Sequence, residues 1–170
     1  MDWLWHGRAW LFGDDIPNDE GIMPLRMCRQ QIYDAVVLAQ ACFEQVRPEF
    51  ADQVRPRDIV VAGRNFGYGN PHIQGFLGLK GAGVGVVAES MSRGPLRACI
   101  NAGVPLLLHP GITSVVQDGD PIEVDFETGR LTNLRSSVSV QCDPMPAVMR
   151  EIVAAGGGIA HMKQRLSALP

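Results

Sequence analysis

The chain has 170 residues, a formal net charge of −3 and a hydrophobic fraction of 46 %. That is one domain's worth, long enough to bury roughly two thirds of its unfolded surface. Its arginines are scattered and lysine occurs only at Lys80 and Lys163, so no basic face is available for nucleic acid. Gly, Pro or charge interrupts every long apolar run, which excludes a helical membrane span.

No basic leader precedes an apolar stretch in MDWLWHGRAWLFGDD, so the start does not read as a secretory signal. GRAWLFG (7–13) alternates as a first strand and ends in the turn GDDIPNDEG. Asp14, Asp15, Asp19 and Glu20 in that turn read as a solvated loop, because a metal would want histidine or more regularly spaced acids. IYDAVVLAQACFEQV (32–46) carries apolar residues at three- and four-residue intervals and predicts an amphipathic helix, stopped by Pro48. DIVVAG (58–63) suits a buried strand, and a helix is expected from Gln74 in spite of its glycines.

VGVVAES (84–90) and VPLLLHP (104–110) read as further buried strands around a helix at 92–104, with Pro95 in its first turn and Gly103 closing it. IEVDFETGRLTN is a hairpin signal. The tail is expected to be helical up to the triple glycine, with residues 156–170 fraying. Strands alternating with helices, then a hairpin, predict one α/β domain over 1–170, a mixed sheet flanked by helices.

Cys28, Cys42, Cys99 and Cys142 contain no Cys-x-x-Cys pair. Cys42 and Cys99 fall within apolar periodic segments, so reduced thiols and a cytoplasmic location are expected. No cluster of thiols suits an iron–sulfur centre or structural zinc, so any such cofactor would come from another chain.

The most informative stretch is NFGYGNPHIQ (65–74), between a predicted strand and a predicted helix. Open α/β sheets place ligands at such a strand's carboxyl end. Gly67 and Gly69 permit a tight turn with exposed amides, which suits either a purely structural turn or an anion site. Neither a phosphate-binding loop nor a dinucleotide fingerprint is completed.

GRAWLFGDDI, ACFEQVRPEFADQVRPRDIVVAGRNFGYG, GLKGAGVGVVAESMSRGPLRACINAGVPLL and GDPIEVDFETGRL occur in an order and spacing that resemble the 3-isopropylmalate dehydratase small-subunit family. That family is the swivelling domain of the aconitase superfamily, and the resemblance covers most of the chain. It implies an aconitase-type swivelling α/β domain that acts with a separate large subunit. The large subunit would carry a [4Fe-4S] cluster held by three cysteines. The pair would dehydrate or isomerise a hydroxy di- or tricarboxylic acid.

The family's loop reads Asn-Phe-Gly-x-Gly-Ser-Ser-Arg-Glu-His. Here Asn65, Phe66, Gly67 and Gly69 are kept, and the pattern then breaks. Asn70 takes the place of the serine base, Pro71 that of the second serine, and His72 that of the substrate-binding arginine. Three accounts follow. His72 is a new acid–base group with Asn70 orienting the substrate; or the loop only shapes a pocket whose chemistry comes from the partner; or the chain is a non-catalytic binding or regulatory paralogue. Imidazole exchanges protons near neutral pH, which suits the first. A histidine does not offer an arginine's fork to a carboxylate, so an altered substrate preference is expected.

GIMPLRMC matches the family's specificity loop at Pro24 and Arg26, making Arg26 either a substrate contact or a surface arginine. Arg93 agrees with a family arginine and is the second cationic candidate. Trp3, Trp5 and Trp10 are expected either in the core or against a partner.

Overall fold

The computed structural model describes residues 1–168. Strands β1 (Leu4–Phe12), β2 (Ile59–Ala62), β3 (Gly85–Ala88) and β4 (Leu106–Leu108) run parallel to one another. Strands β5 (Pro121–Asp125), β6 (Arg130–Asn133) and β7 (Ser139–Gln141) extend antiparallel from the other edge of β1. The result is one seven-stranded mixed sheet in the order β4-β3-β2-β1-β5-β6-β7. Every residue of β2 and β3 is buried, as expected for parallel strands covered on both faces. In β5 only Ile122 and Val124 are buried, the alternation of a strand with one wet face.

Among the described residues seven α-helices accompany the sheet: α1 (Leu25–Arg29), α2 (Ala35–Ala39), α3 (Phe50–Gln53), α4 (Gln74–Ala82), α5 (Arg93–Ala102), α6 (Ala147–Ala154) and α7 (Gly158–Ser167). Gly78 and Gly81 of α4 allow close approach to α2. A Cβ at Gly81 would stand 1.9 Å from the Ala35 carbonyl oxygen.

Two expectations need correction. The helix expected over 32–46 is realised only at Ala35–Ala39, capped by Asp34, whose carboxylate accepts from the Val36 and Val37 amides. Beyond it Phe43 adopts φ 58°, is fully buried, and stacks on Phe12 at 4.2 Å between ring centroids. Burying that ring outweighs continuing the helix, a tertiary override of local periodicity.

The tail does not fray at its glycines. Gly156 and Gly157, at φ 91° and 116°, end α6, and α7 follows through Ser167. A Cβ at Gly157 would lie 2.5 Å from the Asn101 carbonyl oxygen, so the glycines let this turn sit against the end of α5. Leu169 and Pro170, also within the expected fraying tail, lie outside the described residues.

Of the two alternatives expected for the tryptophans, the core is the one seen for Trp5 and Trp10. Trp5 and Trp10 are buried and Trp3 packs against the same cluster. Trp10 Nε1 donates to Asp58 Oδ2 at 3.0 Å, and Asp58 also accepts from the Arg8 and Arg55 amides. This network accounts for Asp58, which is among the residues lining a polar cavity of about 710 Å³ with His6 and Arg8. The cavity lies at the amino end of β2, opposite the glycine loop.

Candidate active site

Loops following β1 (13–24) and β2 (63–73) are joined almost residue by residue at the carboxyl ends of the parallel strands. Arg64 donates its backbone amide to Asp14 Oδ1 at 2.8 Å and its guanidinium to Oδ2 at 2.6 and 3.0 Å. The Arg64 hydrogen bonds hold the Asp14 carboxyl below its ordinary range. The Asp15 amide donates to the Arg64 carbonyl, and Asn65 Nδ2 donates to Asp15 Oδ1 at 2.9 Å. Further along, the Gly67 amide donates to the Ile16 carbonyl at 2.7 Å and the Asn18 amide to that of Tyr68 at 2.8 Å.

Asn18 then ties down the divergent stretch. It is 1 % exposed, and its Nδ2 donates to the carbonyls of Asn70 and His72 at 2.9 and 2.7 Å. The next residue supplies the charge. Asp19 accepts from Asn70 Nδ2 at 3.0 Å and lies 2.8 Å from His72 Nδ1. The Asp19 side chain is 15 % exposed and that of His72 is 40 % exposed, so the carboxylate is sheltered while the imidazole reaches solvent. A carboxylate at Nδ1 fixes the neutral tautomer with its proton there and leaves Nε2 as the acceptor. Thus the acidic turn is not merely a solvated loop. Its Asp19 meets the histidine that local spacing did not supply.

The third loop, between β3 and α5, is held by Ser90. Its carbonyl accepts from the Phe66 amide at 3.0 Å and its hydroxyl from the Asn65 amide at 2.9 Å. Gly67, at φ 75°, nestles against Phe76 and against Pro95 in the first turn of α5. Arg93, exposed at the start of that helix two residues before Pro95, makes no ion pair among the described residues. Ser92 caps α5 without a side-chain hydrogen bond, so its hydroxyl leaves the first-turn amides unclaimed.

Residues 65–67 spend their amides inside the chain, so this part of the loop is built for shape. Gly69, at φ 100°, is in open space: a Cβ there would touch nothing within 4 Å. Arg26 lies on α1 at the surface, where its guanidinium pairs with Glu44. Cys28 on the same helix is half-buried and comes close to both Asp19 and His72. Burial, then the charges of Asp19 and Glu20, push its thiol above the ordinary value.

Asn18, Asp19, Arg64 and Cys28 were missed as site residues. Each acquires its role from a partner more than forty positions away, a pairing that no local spacing encodes. Cys42, Cys99 and Cys142 are buried and unpaired, and burial pushes Cys42 up to about 12 and Cys142 up to about 11. Among the described residues no three thiols converge.

A mixed sheet whose parallel strands end in loops joined as a polar rim defines an α/β domain of the ligand-facing kind. No family model matches the chain. The 3-isopropylmalate dehydratase small subunit of Methanosarcina acetivorans is 43 % identical over 163 residues, covering 95 % of this chain and 98 % of that protein. The isopropylmalate/citramalate isomerase small subunit of Methanocaldococcus jannaschii is 39 % identical, covering 95 % of each. The crystal structure of 3-isopropylmalate dehydratase (leuD) from Methanocaldococcus jannaschii superimposes with a TM-score of 0.87 at 32 % identity, over 96 % of both chains. The chain belongs to the 3-isopropylmalate dehydratase small-subunit family.

Proposed function

We propose that the chain is the small subunit of a hydro-lyase that isomerises a hydroxy di- or tricarboxylic acid of the isopropylmalate or citramalate kind. It works only with a large subunit, and that subunit carries the [4Fe-4S] cluster. The relatives' names support the dehydratase reading and lend nothing to a silent regulatory paralogue. No helix among the described residues is long and apolar enough to cross a membrane, and the four unpaired thiols suit a reducing compartment such as the cytoplasm.

Moving water across the α and β carbons requires a base for a carbon-bound proton and cations for the carboxylates. In this reading His72 Nε2 takes that proton, and Asp19 holds the ring and stabilises the imidazolium that forms. Asn70, anchored through its Nδ2, orients the substrate with its amide oxygen. Arg93 and the Gly69 amide receive carboxylate groups at the mouth of α5, where the helix dipole adds to the attraction. Arg26 belongs to the outer rim, where exchange of Glu44 for a substrate carboxylate would set specificity.

The single observation that carries this assignment is the Asp19–His72 contact at 2.8 Å, with the imidazole reaching solvent. The test is turnover of isopropylmalate and citramalate by the co-expressed, cluster-reconstituted pair. The pair is expected to be active, and His72→Ala is expected to lower kcat by about 100-fold or more. Full turnover in both His72→Ala and Asn70→Ala would remove the loop from the chemistry.

A further inference from the structure

Folding supplies what the acidic turn lacked for metal binding. Asp19, Cys28 and His72 each present one ligand atom, and these atoms all lie within 4.8 Å of one another. They come from three separate places: the loop after β1, helix α1 and the loop after β2. Asp19 and His72 are in contact at 2.8 Å, and Asn18 fixes the chain on both sides of that contact.

We infer that Asp19, Cys28 and His72 form a three-donor site for a zinc-class divalent cation, and that filling it withdraws His72 from proton transfer. A thiolate, an imidazole and a carboxylate together select zinc and its neighbours over magnesium or calcium, which prefer oxygen alone. Tetrahedral zinc has bonds of about 2.0–2.3 Å, so its ligand atoms stand about 3.3–3.6 Å apart. The observed cluster reaches that spacing by moving Cys28 inward by at most about 1.5 Å and parting Asp19 from His72 by about 0.5 Å. Such shifts lie within the reach of side-chain rotation.

Glu20 adds negative charge beside the thiol, but its own carboxylate is occupied by the Leu25 amide and Gln45 Nε2. The fourth position is then left to water.

Binding balances as follows. The thiol proton of Cys28 leaves to solvent and its sulfur bonds the metal. The imidazole proton moves from Nδ1 to Nε2, freeing Nδ1 as the ligand. Nε2 then carries a hydrogen and no longer accepts one. This inhibitory half rests on the reading of His72 as base; the binding half does not.

The two halves separate experimentally. Purified full-length chain is titrated with zinc by calorimetry and with cobalt by absorption. One equivalent of each is expected to bind, and cobalt is expected to develop a thiolate charge-transfer band. Losing an outer-shell partner weakens metal sites by 10–100-fold, so Cys28→Ser is expected to weaken binding by at least about 100-fold and to abolish the band. His72→Gln is expected to weaken it similarly.

No saturable binding by the wild-type chain, or an unchanged cobalt spectrum in Cys28→Ser, overturns the site. In the reconstituted pair, zinc is expected to inhibit, with the half-inhibiting concentration raised by about the same factor in Cys28→Ser. Binding without inhibition overturns the coupling, and with it the role of His72 as base.

Discussion

Replacing Asn18 by Asp tests the joining of the two loops without opening a cavity. The side chain is 1 % exposed, and its Nδ2 stands 2.9 and 2.7 Å from the carbonyl oxygens of Asn70 and His72. Asn18→Asp removes both hydrogen bonds while ionised, about 1 kcal/mol each, and restores at most one when protonated. It also turns an oxygen toward two acceptors. The new carboxyl must then be buried as a charge or take up a proton. Protonating at pH 7 a group with an unfolded pKa of about 3.9 costs about 4 kcal/mol, an upper limit to this part. The sum is about 3–6 kcal/mol at pH 7, a large share of the 5–15 kcal/mol that usually holds a domain together.

The folded-state pKa of this Asp would lie above its unfolded value. The penalty is therefore smallest below about pH 4 and grows as pH rises toward the folded pKa. At pH 5 the protonation part is at most about 1.5 kcal/mol. Urea unfolding followed by tryptophan fluorescence, at pH 7 and pH 5, reads both numbers. A variant within about 1 kcal/mol of wild type at pH 7, or a penalty that does not shrink at pH 5, would refute the tether.

Asp19→Asn in the assembled enzyme is expected to lower kcat by roughly 10- to 100-fold with little change in KM, since it withdraws the charge behind the imidazole; unchanged kcat contradicts that role. Gly69→Ala, strained at φ 100° but free of contacts, is expected to cost about 1–3 kcal/mol in denaturant unfolding. Gly67→Ala should cost more, because its Cβ would stand 3.0 Å from Phe76 as well. Cys42, pushed up to about 12 by burial, contributes stability that is complete below the unfolded thiol pKa and is lost as pH rises toward 12. Melting temperature is therefore expected to fall above about pH 8.5, and less steeply in Cys42→Ala than in wild type.

The apolar blocks 58–63, 84–90 and 104–110 were legible as buried strands because continuous β-branched and leucine runs fit a sheet covered on both sides. The hairpin at 121–133 was legible through its alternation and its Thr-Gly turn. Periodicity misled at 32–46, where Phe43 is claimed by a ring stack with Phe12 that lies thirty-one residues back in the chain. The glycine loop was correctly located at a strand end, yet its wiring was hidden. Asp14, Asp15 and Asp19 have the composition of any polar turn; what distinguishes them is that Arg64, Asn65 and His72 come to rest opposite. Residue types announced a loop, and only the parallel pairing of β1 with β2 lays one loop along the other.

Division of labour between two chains is open to a subunit complementation assay. Each subunit is purified separately, the large one with its cluster reconstituted, and turnover of isopropylmalate and citramalate is followed for each alone and for the mixture. No turnover is expected from this chain alone, and turnover in the mixture is expected to saturate near one small subunit per large one. Substrate turnover by this chain alone, or no binding and no activity on mixing, would contradict it.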